Sequence, residues 1–233
     1  MKLKENILII GNGSWGRRLK GKLEKQYELV EIQRFRDEPI TGSFDKVYIC
    51  VPSAYFLEAL DKFSHLFSDE VITCTKAYLV NGNSPLTELI KRGYNASHLG
   101  GACIEKNEII RISKDLAFET FSILKNVYAI GFSYWLEKEG VNYASSKLIS
   151  YYNELKELTN NDLDFSDLFA TCISKESRNH KFGKNLANSD FKLDIKDGLI
   201  EGHYSAKVIQ RYNYYPQAKE LQDIIYFIDK ISE

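Results

Sequence analysis

The sequence predicts an α/β fold, with an N-terminal Rossmann-type parallel-sheet domain followed by an all-α C-terminal domain. Three observations carry this expectation. Asn6–Ile10 runs into Gly11-Asn12-Gly13-Ser14-Trp15-Gly16, a strand entering a G-x-G-x-x-G turn that opens a helix. Short apolar strands then alternate with amphipathic segments up to about Ser113, the pattern of a parallel sheet covered on both faces. From Leu116 onward the strand signal is gone, and apolar residues recur at steps of three and four.

Taken in order, the first strand is the branched apolar run Ile7–Ile10. In the turn after it, Gly11 lets the chain turn sharply, Gly13 lets backbone approach a pyrophosphate, and Gly16 lets helix and strand pack closely, with the anion on the free N–H groups of the helix. The residues Gly11 to Gly16, including Asn12, Ser14 and Trp15, are therefore candidate cofactor contacts. The helix, Ser14–Lys25, sets Trp15, Leu19 and Leu23 against Arg17, Arg18, Lys20 and Lys22. Glu31, at the end of the strand Tyr27–Ile32 and twenty residues beyond Gly11, fits a ribose 2′-OH and favours NAD. Arg34 suits stacking on adenine or pairing with a 2′-phosphate, so NAD and NADP both stay open.

Further strands are expected at Lys46–Val51, Val71–Thr75, near Ser97–Leu99 and at Ile109–Ile112, with a helix over Ala54–Phe67. Pro52 cannot continue a central ladder, so the chain leaves the sheet at Val51-Pro52-Ser53. This is either a plain exit with Ser53 capping the next helix or a wall against the cofactor. Lys76 after the fourth strand reads equally as a surface lysine or as a cation in the crevice. Gly100-Gly101-Ala102 reads equally as a flexible turn or as backbone approaching a ligand. A boundary near Ser113–Leu116 divides the chain into a dinucleotide-binding domain, 1–114, and a helical domain, 115–233.

In the helical half, the stripes Val141, Ala144, Leu148, Tyr151, Leu155, Leu158 and Leu221, Ile224, Ile225, Ile228, Ile231 are expected to face the core. Lys125 and Asn126 sit inside an otherwise apolar helix, where an ammonium is costly unless paired or working. Asp167 and Thr171, four apart, share a helical face, and a carboxylate beside Lys125 would hold it and tune its protonation. Ser177-Arg178-Asn179-His180-Lys181-Phe182-Gly183-Lys184 concentrates cations with amide and hydroxyl donors. That composition suits a phosphate, and a solvated charged face is the ordinary alternative.

Composition narrows the class. The 233 residues carry 31 basic against 32 acidic side chains and a net charge of -1, which gives no global field to recruit nucleic acid or an acidic membrane. Cys50, Cys74, Cys103 and Cys172 lack C-x-x-C spacing, so reduced thiols are expected rather than zinc or disulfides. No apolar run approaches membrane-spanning length, and a cytoplasmic protein without a metal is the expectation.

These fragments, in this order, resemble the NAD(P)-dependent glycerol-3-phosphate dehydrogenase family. Its G-x-G-x-W-G is met by Gly11 to Gly16 with Trp15 in place, its V-P-S by Val51-Pro52-Ser53, and its lysine after the fourth strand by Lys76. Its G-A-N-I-A element is met in part by Gly101-Ala102-Cys103-Ile104, and its E-x-x-x-x-L-K-N-V by Glu119 with Leu124 to Val127. Its D-L-x-x-T-C and S-R-N-x-x-F-G are met by Asp167-Leu168, Thr171-Cys172, Ser177-Arg178-Asn179 and Phe182-Gly183, and its late E-G-x-x-x-A-K by Glu201-Gly202 and Ala206-Lys207. The resemblance implies hydride transfer between NAD(P)H and dihydroxyacetone phosphate, with Lys125 as general acid/base, Lys76 assisting, and Asp167 and Thr171 completing the polar pocket. It also implies Ser177, Arg178, Asn179 and Asn126 on the small phosphorylated substrate. On the cofactor it implies Arg178, Ala102, Val51, Pro52 and Glu201. A second copy of the chain is a candidate partner.

The chain departs from the family pattern by shortened stretches between the second and third strands and between Ala102 and Lys125. Phe121-Ser122 also stands in place of a Gly-Gly pair, and Phe121 is expected to narrow the pocket. Two alternatives follow: a related β-hydroxyacid-class dehydrogenase acting on another small phosphorylated or carboxylated 2-hydroxy compound, or a non-catalytic NAD(P)-binding homologue.

Overall fold

The computed structural model describes residues 2–101, 111–160, 164–188 and 200–232. Among the described residues six strands form one sheet in the order β2-β1-β3-β4-β5-β6. They are β1 (Leu3–Ile10), β2 (Tyr27–Gln33), β3 (Phe44–Ile49), β4 (Phe67–Thr73), β5 (Asn95–Gly100) and β6 (Arg111–Ser113). The first five run parallel, as expected, and β6 adds an antiparallel edge beside β5. A three-residue edge strand needs only a short return of the chain, which periodicity does not report.

The centre of the sheet explains its composition. Ile7, Leu8, Ile9 and Ile10 are all fully buried because both faces of β1 are covered. On one face Ile7 and Ile9 meet Leu19 and Leu23 of helix α1 (Ser14–Leu23), and on the other Leu8 and Ile10 meet Phe56, Leu60 and Phe63. The segment expected as one helix over Ala54–Phe67 is instead a 3-10 turn at Ser53–Tyr55, helix α2 (Phe56–Phe63) and a second 3-10 turn at Ser64–Leu66. Phe67 already belongs to β4. Pro52, not Ser53, occupies the cap position of the first turn.

Helix α3 (Pro85–Lys91) was not anticipated, although its start carries two ordinary signals. Ser84 at the cap accepts from the Thr87 N–H, and Pro85 takes the first position, where a missing N–H costs nothing.

Helix α4 (Leu116–Thr159) is the axis of the helical half, surrounded by α5 (Phe165–Ile173), α6 (Arg178–Leu186), α7 (Glu201–Tyr212) and α8 (Lys219–Ser232). It breaks at Gly140, whose φ of 79° and ψ of 178° suit glycine alone. Phe121 to Ser133 is buried without interruption, so this part of α4 is enclosed on every side. Beyond the break the stripe Ala144, Leu148, Tyr151 and Leu155 is core, but Val141 is 64% exposed because the chain changes direction one residue before it. Leu221, Ile224, Ile225 and Ile228 of α8 pack into the same core. The Ile231 side chain lies outside the described residues. Among the described residues no helix is long and apolar enough to cross a membrane.

Sheet and helices are tied by Glu119 of α4, whose carboxylate accepts from Leu86 N–H at 2.7 Å and from the Ser84 hydroxyl at the start of α3. Burial pushes its pKa up from the ordinary 4.5 to about 7, and both hydrogen bonds oppose that shift. A carboxyl with a raised folded-state pKa contributes most at low pH, and its contribution is lost as pH rises from about 4.5 through 7. Glu119→Gln is therefore expected to gain stability relative to wild type across that interval, measured as the difference in urea midpoints between pH 5 and pH 8.

Candidate active site

Strand order places the site. β2 and β3 flank β1 on opposite sides, so the chain leaving the carboxyl ends of β1 and β3 opens a crevice at the switch point. Gly11 N–H donates to Gln33 O and Cys50 N–H to Ile10 O, both at 2.7 Å, which locks the three strand ends together. A crevice of about 700 Å³ opens above them, walled by Gly13, Ser14 and Trp15 on one side and by Ser177, Arg178, Asn179 and Glu201 on the other. It continues into a second compartment of about 340 Å³ that contains Lys76, Lys125, Asn126 and Thr171.

The glycine turn fits a dinucleotide pyrophosphate. Gly11 has φ +116°, and a Cβ there would strike the Cys50 carbonyl. A Cβ on Gly16 would strike the Gly11 carbonyl oxygen, whereas Gly13 has open space in front of it. Gly13 caps α1 with no side chain on its N–H groups, and the first turn carries no acid, so those N–H groups are available to an anion. The buried indole N–H of Trp15 makes no hydrogen bond. Gly16→Ala is expected to push α1 off β1 and weaken cofactor binding by about 5- to 160-fold, given the roughly 1–3 kcal/mol that overpacking costs; titration of intrinsic NADH fluorescence reads it.

Lys125 is 2% exposed, and its ammonium donates to Asp167 at 2.5 Å. Burial lowers the lysine pKa below its ordinary 10.5, and the Asp167 carboxylate opposes that shift. Thr171 donates its hydroxyl to Asp167 O at 2.7 Å within α5, leaving its oxygen lone pairs facing the compartment. Lys76 donates to Gly101 O at 2.7 Å and lies 5.1 Å from the centre of the Trp15 ring, so the lysine reading that points into the crevice is the one realised.

The amides are arranged differently from the expectation that they face substrate. Asn126 donates to Lys76 O at 3.1 Å, Asn179 donates to Asn126 at 3.0 Å, and Gly202 N–H donates to Asn179 at 3.0 Å. This chain links the segment after β4 to α4, α6 and α7, and Gly202 has no room for a side chain because Asn126 O lies against it. Both amides line the crevice but are largely committed to each other.

Ser177 caps α6, accepting from His180 N–H at 3.4 Å, and Arg178 is the first residue of that helix. A second helix N-terminus with an arginine on it thus faces the first across the crevice. Glu201 accepts from Ser53 N–H at 3.3 Å, and burial pushes its pKa up to about 7 against that hydrogen bond and against Arg178 and Lys76.

Other candidates fall elsewhere. Glu31 is exposed, opposite Leu8 and two residues short of the end of β2, and neither it nor Arg34 lines the crevice. Asn12 is half-buried at the turn, and its carbonyl accepts from Arg17 at 2.8 Å. Val51 and Pro52 line the wall. Ala102 lies outside the described residues. Phe121 is buried in the helical core with Phe118 and Tyr78 and does not line either compartment, contrary to the expectation that it narrows the pocket. Sequence reasoning passed over Cys50, Cys74 and Thr75 at the crevice floor and Arg18 and Glu176 at its mouth. The first three stand at strand ends, which was a usable signal.

Residues 116–231 match the family model described as the NAD-dependent glycerol-3-phosphate dehydrogenase C-terminus. The chain belongs to this family through its helical half. Lys125, Asp167, Thr171, Arg178 and Glu201 all fall inside the matched region. The whole fold is similar to that of glycerol-3-phosphate dehydrogenase (gpsA) from Coxiella burnetii, with a TM-score of 0.80 at 17% identity over 99% of this chain and 95% of that one. It is also similar to glycerol-3-phosphate dehydrogenase GPD1 from Saccharomyces cerevisiae, with a TM-score of 0.68 at 14% identity over 99% and 100%. A probable 2-dehydropantoate 2-reductase from Bacillus subtilis gives 0.58 at 12% over 97% and 99%. No curated protein sequence matches the chain. The family relation makes this chain a dehydrogenase-type oxidoreductase of CH–OH groups.

Proposed function

We propose that the chain interconverts dihydroxyacetone phosphate and sn-glycerol 3-phosphate with NAD or NADP, residues 1–114 holding the cofactor and 115–233 the chemistry. The observation that carries this reading is the buried Lys125–Asp167 pair at 2.5 Å, beside a crevice onto which two helix N-termini and Arg178 converge. The bound nicotinamide supplies or accepts the hydride.

Lys125 gives its proton to the developing C2 alkoxide and stabilises it as charge forms. Its lowered pKa makes it a better acid than an exposed lysine, and Asp167 keeps it charged until the proton leaves. Thr171, whose proton is committed to Asp167 O, accepts from the C2 hydroxyl once that oxygen is protonated, and Lys76 adds positive charge in the same compartment. Arg178 and Ser177 at the start of α6 bind the substrate phosphate, which directs the carbonyl toward Lys125. Asn126 and Asn179 act as positioning residues for Lys76 and for the α6–α7 wall. On the cofactor side, Gly11 to Gly16 take the pyrophosphate, while Val51, Pro52 and Glu201 form the wall.

A panel of ketones assayed by NADH and NADPH oxidation tests the reading. Turnover with dihydroxyacetone phosphate in preference to 2-keto acids supports it, and the reverse preference moves the chain to the relatives that reduce 2-keto acids. The reduction rate is expected to fall as pH rises through a lysine pKa below 10.5, and Asp167→Asn is expected to move that inflection lower. The pH profile of kcat reads both.

A further inference from the structure

At the floor of the crevice, β3 and β4 end side by side on two cysteines. Ile49 and Thr73 are register partners, and Cys74 N–H donates to Ile49 O at 2.9 Å, so Cys50 and Cys74 are the next pair along these strands. Both lie on the α1 face of the sheet, in the cluster with Ile9, Tyr48, Ile72 and Trp15. Both line the crevice, both are free thiols, and after burial the neighbouring Cys74 thiol is the next cause that pushes the Cys50 thiol up. Adjacent strands run about 4.8 Å apart, within the Cα separation of roughly 4.4–6.8 Å that a disulfide spans.

We propose that Cys50 and Cys74 are a modification site, a dithiol that closes to an intramolecular disulfide and weakens cofactor binding in the crevice above it. The co-reactant is a small-molecule disulfide, RSSR. One cysteine loses its proton to solvent, and its thiolate attacks a sulfur of RSSR, forming a mixed disulfide and expelling RS⁻, which takes up a proton. The second thiolate then attacks the protein sulfur of the mixed disulfide, forming the Cys50–Cys74 bond and releasing the second RSH. Two protein thiols are oxidised, and RSSR is reduced to two RSH. Entry is from the crevice, where Cys50 is half-buried and Cys74 buried. Burial pushes the Cys50 thiol up while Lys76 draws it down, so closure quickens toward alkaline pH.

The consequence for binding follows from what these residues touch. The Cys50 Cβ lies 3.3 Å from where a Cβ on Gly11 would stand, so Cys50 is the back wall of the glycine turn. The crevice walls Val51-Pro52 and Thr75-Lys76 leave the sheet directly after the two cysteines and are already joined by the Thr75 hydroxyl donating to Val51 O at 2.7 Å. Drawing the two sulfurs to bonding distance, about 2.05 Å, shifts both walls at once. This effect rests on the dinucleotide reading of the crevice, whereas the disulfide itself does not. Linkage makes it reciprocal: a bound cofactor disfavours closure by the factor by which closure weakens the cofactor.

The test uses the full chain, reduced and then incubated with 2-hydroxyethyl disulfide at pH 8, with and without saturating NADH. Free thiols are trapped, the disulfides are mapped by mass spectrometry, and NADH affinity is titrated. The expected result is a Cys50–Cys74 cross-linked peptide from protein with unchanged far-UV circular dichroism. Its yield is lower with NADH present, and NADH affinity falls by about tenfold and recovers with dithiothreitol. In Cys50→Ser and Cys74→Ser the cross-link is gone and NADH affinity no longer responds to the oxidant. Mixed disulfides without the cross-link, pairing of either residue with Cys103 or Cys172, or a cross-link that leaves NADH affinity unchanged would each overturn the proposal. If the reduced chain binds no NADH, the crevice reading fails, and the cross-linked peptide alone decides whether the dithiol closes.

Discussion

Lys125→Ala is expected to lower turnover by roughly 10²–10⁴-fold while NADH affinity stays within about twofold. The asymmetry is the informative part. Lys125 lies in the compartment with Thr171, away from Gly13, Val51, Pro52 and Glu201, so removing it deletes the proton donor and leaves the cofactor wall standing. The measurement is steady-state kcat beside a fluorescence titration of NADH. A variant that retains most of its rate removes Lys125 from the acid/base role, and a variant that loses both rate and NADH affinity makes the lysine structural.

The second large effect is on stability. Asp167 is 3% exposed and has Lys125 as its charged partner, so Asp167→Asn leaves a buried ammonium without its countercharge. Breaking such a pair from one side typically costs about 3–5 kcal/mol, which urea unfolding reads directly. Lys125→Ala incurs a similar cost from the other side, so its kinetics belong at a temperature where it is folded. Replacing both partners, as Lys125→Met with Asp167→Leu, is expected to recover most of the stability, because no buried charge remains. The same double variant stays inactive. Stability and catalysis therefore separate at this pair, which distinguishes a lysine kept for chemistry from one kept for packing.

Legibility in the sequence tracks how local each cause is. Ile7–Ile10 and the glycine turn are local: four apolar residues in a row need cover on both faces, and the turn is fixed by a positive φ and two steric contacts. The pairing of Lys125 with a carboxylate was readable because an ammonium inside an apolar helix demands a partner, and the acid on the α5 face meets that demand. The amide chain Asn126–Asn179–Gly202 was not readable, since each bond joins segments separated by 23 or 53 residues, and an amide accepts many partners. Glu31 was misplaced toward the crevice because a count from Gly11 does not say where β2 ends, and Gln33 is its last residue. Val141 was assigned to the core because the helical period was carried through Gly140, where the backbone breaks it. Phe121 was expected in the pocket because it stands where the resembled family has a glycine, yet it is buried in the helical core, in the cluster that also holds Phe118 and Tyr78.

The most direct measurement of the central claim follows the hydride itself. With NADH carrying deuterium at the transferred position of C4 and dihydroxyacetone phosphate as the acceptor, glycerol 3-phosphate labelled at C2 is expected, formed by wild type and roughly 10²–10⁴-fold more slowly by Lys125→Ala. Saturable NADH binding with no deuterium delivered to C2 of that product would contradict it.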